Sequence, residues 1–154
     1  MILERKILKK VVKDLKSKGK KIVFTNGCFD ILHPGHIFYL NEAKKLGDYL
    51  VVALNTDNSV KRLKGENRPV NTQEDRAVVM DALETVDIVT FFHEDTPLEI
   101  VSELIPDVIV KGGDYKPEDV AGGEVVTKNG GEIRIINFVD GKSTTSVIER
   151  MKLK

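Results

Sequence analysis

Apolar positions along this chain alternate between two rhythms. Leu3, Ile7, Leu8, Val11, Val12 and Leu15 recur at helical spacing with charged residues between them, and Gly19 follows. That pattern predicts an amphipathic helix over about residues 2–18. Lys21 to Thr25 is a short apolar run between turn residues, as a buried strand requires. Pro34 to Leu46 reads as a helix, with proline in its first turn and Gly47 beyond its end. Tyr49 to Leu54 predicts the second strand. Asn55 to Asn71 is too rich in charge and turn formers for a core element, and predicts a loop. Thr72 is placed to cap a helix running to about Leu83, with Asp75 where a capping box wants Glu or Gln. Val86 to Phe92 then predicts a strand, Thr96 to Leu104 a helix and Asp107 to Val110 a strand. A glycine-rich loop, a short helix near Val120 to Lys128, a strand from Ile133 to Phe138 and a helix from Ser143 to Met151 complete the chain.

Five strands alternating with helices predict an α/β fold. The expectation is a single doubly wound, Rossmann-like domain over residues 1–154. It has a five-stranded parallel sheet with helices on both faces, and its catalytic core covers about residues 20–154. Ligands of such sheets bind outside the carboxyl ends of the strands, where the strand order reverses. The loops after strands one, two, four and five are therefore the places to look for chemistry.

Composition narrows the function. The 154 residues are 41% hydrophobic and 31% charged, with 24 basic and 24 acidic side chains. A net charge of zero argues against general nucleic-acid binding, which needs an excess of Lys and Arg, but leaves room for a local basic pocket. Cys28 is the only cysteine, so no intramolecular disulfide forms and a reducing compartment is expected. No apolar run approaches the roughly 18 residues of a membrane span. The N-terminus mixes charge into its apolar positions, unlike a signal peptide. A cytoplasmic domain with no nucleic-acid or membrane partner is expected, and a homodimer stays open.

The loop after the first strand carries the strongest signal. His33 and His36 straddle Pro34-Gly35 at the start of a helix. A helix N-terminus offers unpaired N–H groups and the positive end of its dipole, which suits phosphate. Two imidazoles add directed donors, and Gly35 lets a ligand approach closely. The rival reading makes His33 a helix cap and His36 a core residue. Zinc is disfavoured, because the third histidine, His93, is distant in sequence and no carboxylate cluster adjoins the pair. Cys28 reads as a small buried thiol rather than a nucleophile.

Three further loops are candidates. Lys61, Arg62, Lys64 and Arg68 fall close together after strand two and could form a flexible phosphate clamp, with Arg76 on the next helix reaching the same pocket; a solvated surface is the alternative. Lys111-Gly112-Gly113-Asp114-Tyr115 pairs glycines with an acid, so Gly112 and Asp114 are candidates for base or ribose contacts, against Asp114 as an ordinary turn cap. Gly141-Lys142-Ser143 imitates the end of a P-loop, but Ile136 stands where the first P-loop glycine belongs. Ser143, Thr144 and Thr145 can still present hydroxyls and N–H groups to an anion, or simply cap the helix.

The His-x-Gly-His pattern after a first strand resembles the signature of the cytidylyltransferase-like nucleotidyltransferases. Thr25 to Asp30 with His33 to His36, Arg62 to Gly65 with Arg68 to Val70, Glu94 to Pro97, Val110 to Pro117, and Asp140-Gly141 before Ser143 to Thr145 together resemble the adenylyltransferase half of bifunctional ADP-heptose synthases. The resemblance implies ATP and D-glycero-β-D-manno-heptose 1-phosphate as substrates, Mg²⁺ as cofactor, and ADP-heptose for the lipopolysaccharide core with pyrophosphate as products. It also implies a free-standing version linked in function to a separate heptose-phosphate kinase. Glycerol-3-phosphate cytidylyltransferases are close relatives with an Arg-Thr-x-Gly-Ile-Ser-Thr-Thr run. Here Phe138 replaces that Arg and Lys142 the Ile. CTP with glycerol 3-phosphate, and a non-catalytic nucleotide-binding module, remain the alternatives. On the adenylyltransferase reading His33 and His36 bind the triphosphate. Asn26, Gly27, Cys28 and Phe29 line the α-phosphate and ribose, and Ser143 to Thr145 hold the β and γ phosphates. Lys61, Lys64 and Arg76 serve the incoming phosphate or leaving pyrophosphate, with Lys64 closest to the chemistry. Asp30 either reaches Mg²⁺ through water or orients a histidine.

Overall fold

The computed structural model describes residues 1–113, 115–137, 148, 149 and 151. Helix α1 (Arg5–Ser17) leads into β1 (Ile22–Gly27), α2 (Pro34–Lys44) and β2 (Tyr49–Asn55). Helices α3 (Asp57–Lys64) and α4 (Gln73–Asp81) then precede β3 (Ile88–Phe92), α5 (Leu98–Leu104) and β4 (Val108–Gly112). A 3₁₀ turn (Pro117–Asp119), α6 (Gly123–Lys128) and β5 (Glu132–Ile136) follow. The strands lie in the order β3-β2-β1-β4-β5, all parallel. The chain winds outward from β1 through β2 to β3, then returns to β1's other edge for β4 and β5. This is the doubly wound topology that the alternating pattern predicts.

Both faces of the sheet are buried, which is why its strands read as near-continuous apolar runs. Ile22 and Phe24 of β1 join Leu8 and Val12 of α1, Ile100 and Leu104 of α5, and Val126 of α6 on one face. Val23 joins Leu40 and Ala43 of α2 and Ala77 and Met80 of α4 on the other. Leu8, Val23, Phe24 and Met80 are wholly buried, each worth about 1.5–3 kcal/mol relative to exposure.

The switch point between β1 and β4 is physically open. Their ladder pairs Val23 with Val108 and Phe24 with Ile109, and goes no further, although β1 continues to Gly27 and β4 to Gly112. The Tyr39 hydroxyl of α2 enters where the ladder stops. It lies 2.6 Å from Thr25 Oγ1 and donates to the Val110 carbonyl at 3.0 Å. One side chain thus satisfies a backbone group that the neighbouring strand does not, and fixes α2 to both strands.

Residues 55–71 differ from the loop expected of them, because α3 occupies their first half. The buried face of this helix holds one aliphatic side chain, Val60, beside a polar one, Ser59. Asn55 Nδ2 donates to Ser59 Oγ at 2.9 Å, and Ser59 Oγ donates to the Glu94 carbonyl at 3.1 Å. Burial by mutual hydrogen bonding leaves no apolar stripe for a periodicity argument to find. Smaller shifts occur elsewhere: α5 begins at Leu98, α6 at Gly123, and β5 ends at Ile136. Thr72 does cap α4, accepting from the Asp75 N–H at 3.2 Å, while its hydroxyl donates back to the Asp75 carboxylate at 2.9 Å. The residues expected to form the last helix lie mostly outside the described ones.

Candidate active site

The loop leaving β1 is shaped by a glycine and a strained phenylalanine. Phe29 has φ of 43°, the left-handed region that a bulky residue enters at a cost of about 1–2 kcal/mol. Its ring folds back over Gly27, where an added Cβ would stand 2.9 Å from a ring carbon. The same ring lies 5.3 Å from that of His36, centre to centre. Gly27 therefore permits the turn, and the turn props the histidine.

His33 is the N-cap of α2 by position, but its side chain makes no capping hydrogen bond. It stacks on His36 instead, with ring centres 3.9 Å apart and planes 30° from parallel. Gly35 is buried in the first turn of α2. Burial, reinforced by the charge of His33, pushes the His36 pKa down to about 4. Its Nδ1 is buried and has no hydrogen-bond partner among the described residues, so Nε2 is the nitrogen offered to a ligand. His36 is thus a neutral imidazole in neutral solution, suited to hydrogen bonding and not to carrying fixed charge.

Asp30, weighed in the sequence for magnesium or a histidine, is engaged by an arginine and two backbone N–H groups. Its buried carboxylate accepts from Arg68 Nε at 2.7 Å and from the backbone N–H groups of Val70 and Asn71 at 2.9 Å. Burial raises its pKa, but the N–H groups of Asn71 and Val70 and the Arg68 guanidinium outweigh that and hold it below the ordinary carboxylate range. Asp30 fastens the segment after α3 onto the loop after β1.

The expected cation clamp divides in two. Arg68 is spent on Asp30, and Arg62 donates to Asp95 at 2.8 Å and to the His93 carbonyl at 2.5 Å. Lys61 and Lys64, exposed on α3, stay uncommitted among the described residues. Arg76 also corrects the expectation of a phosphate ligand. It is 2% exposed, and donates to the carbonyls of Asn71 at 3.2 Å, Cys28 at 2.6 Å and Asn55 at 2.8 Å and to Asp57 at 2.8 Å. Its guanidinium is consumed in joining the ends of β1 and β2 to α3, so it builds the floor of the site from within.

Cys28 is half-buried, with Sγ 4.0 Å from Asn55 Oδ1. Burial raises its pKa against the opposing charges of Lys64, Arg76 and Arg68. A protonated thiol is a poor nucleophile. The influence of Lys64 on that thiol also places its charge near the loop after β1.

On β4, Gly112 pairs with Ile136 of β5, and Gly113 has φ of 95°. Asp114, Ser143, Thr144 and Thr145 lie outside the described residues. Sequence reasoning passed over Lys111, whose Nζ donates to Asn26 Oδ1 at 2.5 Å. Its signal was its place: a lysine on a buried strand at the edge of the switch point. The described residues contain no group of three or more His, Cys, Asp or Glu able to hold a metal ion. No helix among them is long and apolar enough to cross a membrane.

The cytidylyltransferase-like family model matches residues 24–150. The chain is 56% identical over 152 residues to the bifunctional protein HldE of Haemophilus influenzae, covering 99% of this chain and 32% of that protein. It is 54% identical over 151 residues to the bifunctional protein HldE of Pasteurella multocida, covering 98% of this chain and 32% of that one. The chain thus spans about a third of the length of these curated relatives. The crystal structure of a lipopolysaccharide core biosynthesis protein from Thermoplasma volcanium superposes with a TM-score of 0.63 at 35% identity, covering 80% of this chain and all of that one (100%). A pantoate-beta-alanine ligase from Francisella tularensis shares the fold, with a TM-score of 0.63 at 14% identity, covering 99% of this chain and 77% of that one.

Proposed function

Because the chain belongs to the cytidylyltransferase-like family, we propose that it transfers AMP from ATP to D-glycero-β-D-manno-heptose 1-phosphate, giving ADP-heptose and pyrophosphate. The observation that carries this reading is the 56% identity to the bifunctional protein HldE along 99% of the chain. The stacked pair His33 and His36 at the start of α2 supplies the chemistry. The 35% identical neighbour named for lipopolysaccharide core biosynthesis favours the same substrate class.

The acceptor needs no activation. A phosphate monoester has a second pKa of about 6, so it is largely a dianion at neutral pH. The difficulty is bringing that dianion against a triphosphate, and positioning and charge stabilisation meet it. His36 Nε2 hydrogen-bonds the transferring phosphoryl group, and this bond strengthens as charge develops there. His33 and the first turn of α2 hold the triphosphate. The backbone of Asn26 to Phe29 lines the α-phosphate and ribose, with Gly112 and Asp114 toward the base. Ser143, Thr144 and Thr145 take the β and γ phosphates. In-line attack forms the new P–O bond and expels pyrophosphate, with no covalent enzyme intermediate and no role for the Cys28 thiol. The described residues do not fit a protein-built magnesium site: Asp30 is spent on Arg68 and backbone N–H groups. Mg²⁺ would enter on the triphosphate, as it commonly does.

Lys61 and Lys64 act on the incoming phosphate or the leaving pyrophosphate by Coulomb attraction. The double substitution to Ala is expected to raise KM for the phosphate substrate severalfold and to flatten its dependence on salt, which screens such attraction. Steady-state kinetics between low and high ionic strength read this out; identical constants for both proteins would make these lysines plain solvated surface.

The reaction itself is tested by competition in one tube. With Mg²⁺, ATP plus D-glycero-β-D-manno-heptose 1-phosphate is expected to exceed CTP plus glycerol 3-phosphate in kcat/KM by orders of magnitude, the range that polar recognition of a base permits. Chromatography separates the products. A predominance of CDP-glycerol would move the protein to the glycerol-phosphate branch. Absence of pyrophosphate release from every pair would leave a binding module.

A further inference from the structure

Lys111 stands at the switch point with no anion beside it among the described residues. The β1–β4 register advances by 85 residues, from Phe24 to Ile109, and continuing it brings Lys111 opposite Asn26, past the end of the ladder. Across that gap Nζ donates to Asn26 Oδ1 at 2.5 Å and lies 5.9 Å from the centre of the Tyr115 ring. Burial pushes the ammonium down to about 8, and no carboxylate among the described residues offsets it. A lysine free to choose extends its flexible stem to water. This one turns inward, where a cation without a counter-ion is costly. An ammonium also has three N–H donors, and one Asn oxygen satisfies one of them. The Asn26 amide nitrogen, at the same spot, makes no hydrogen bond among the described residues. The ligand that completes such a pair is an anion with several acceptor oxygens.

We propose that Lys111 is a substrate-binding residue which, with the Asn26 amide, takes a phosphoryl oxygen of a bound phosphate ester across the β1–β4 gap. This rests on the nucleotidyltransferase reading only for which ester arrives: both the triphosphate and the sugar phosphate carry the required oxygen. Lys111 lies on the β4 side of β1, whereas Lys61 and Lys64 follow β2 on its other side. The two sets of cations would then flank the reacting phosphates.

The test is Lys111→Met, which keeps the stem and removes the charge. Titration calorimetry with α,β-methylene ATP and, separately, with the sugar 1-phosphate should show about 10- to 100-fold weaker binding of one of them, as loss of a charged hydrogen bond implies. Loss on the ATP analogue assigns the contact to the nucleotide; loss on the sugar phosphate assigns it to the acceptor. The Tm of the variant should equal or exceed that of the wild type, because a partly buried cation with no carboxylate partner among the described residues has gone. A structural lysine would give the opposite pattern, a lower Tm with both affinities intact, and that result overturns the proposal. A wild-type protein that binds neither ligand removes the nucleotidyltransferase reading. Inorganic pyrophosphate then tests the lysine alone, and equal affinity in wild type and variant overturns its role. Should Lys111→Met fail to fold, Lys111→Gln is measured in the same way.

Discussion

The His36→Ala variant is expected to turn over about 10²–10³ times more slowly than the wild type, with KM for ATP nearly unchanged. A hydrogen bond that is stronger in the transition state than in the ground state has this signature. His36 is placed for it: Phe29 and His33 fix its ring, and burial keeps it neutral. Its protonation also sets a pH dependence whose sign follows from the depressed pKa. Unfolded, the imidazole takes up a proton as the pH falls through its ordinary value of 6.5; folded, it resists until about 4. The unfolded state binds more protons in that window, so stability due to neutral His36 is present above it and lost as the pH falls. Turnover should not vary with His36 ionisation between about pH 5.5 and 8, being constant on the neutral side. Single-turnover measurements on purified variant check the rate. A wild-type kcat in His36→Ala would remove the histidine from the chemical step.

Arg76→Ala is expected to cost about 3–5 kcal/mol of stability, the cost of breaking a buried, hydrogen-bonded charge. Its partner Asp57 is partly exposed, which favours the lower end. Three backbone carbonyls, those of Cys28, Asn55 and Asn71, lose their donor together. For a chain of this length the Tm should fall by about 10 °C, at roughly 2–4 °C per kcal/mol. Arg76→Lys should recover less than half of the loss, because one ammonium cannot reproduce the guanidinium fork. Thermal denaturation followed by circular dichroism reads both. A Tm within about 2 °C of wild type for Arg76→Ala would mean that the polar floor of the site is dispensable.

Much of this architecture was legible because its signals are apolar. The five strands are short aliphatic runs buried on two faces, and a run such as Leu50 to Leu54 can hardly be anything else. What escaped was polar burial. Helix α3 hides Ser59 behind Asn55, and only the Thr56-Asp57 start and the Gly65 stop mark it in the chain. Arg76 looks in sequence like any surface arginine on a helix. Its role depends on three carbonyls brought together from distant segments, and no local pattern encodes that. Asp30 was weighed for a metal or a histidine, while its true partners, Arg68, Val70 and Asn71, lie some forty residues on. Lys111 is a strand-ending lysine, a type that ordinarily marks the exit to solvent, so nothing local signals that it turns inward. In each case the chemistry near the histidine pair was visible by type, and the partnering that assigns each residue its task was not.

The central position of β1 also governs the order in which the molecule can assemble. During synthesis β1 can pair with β2, and β2 with β3, through successive crossovers of local reach. The other edge of β1 waits for Val108 and Ile109, whose pairing closes 85 residues of chain. Until then an aliphatic strand presents unpaired backbone groups, the kind of edge through which nascent chains associate wrongly. Long-range parallel pairing is slow to form, so this exposure lasts longest at the strand that lines the crevice. The gap between β1 and β4, where we propose a phosphate ester binds, comes into existence only when that final closure is made. A truncated or stalled chain ending before β4 would therefore carry both histidines and have no pocket to put them in.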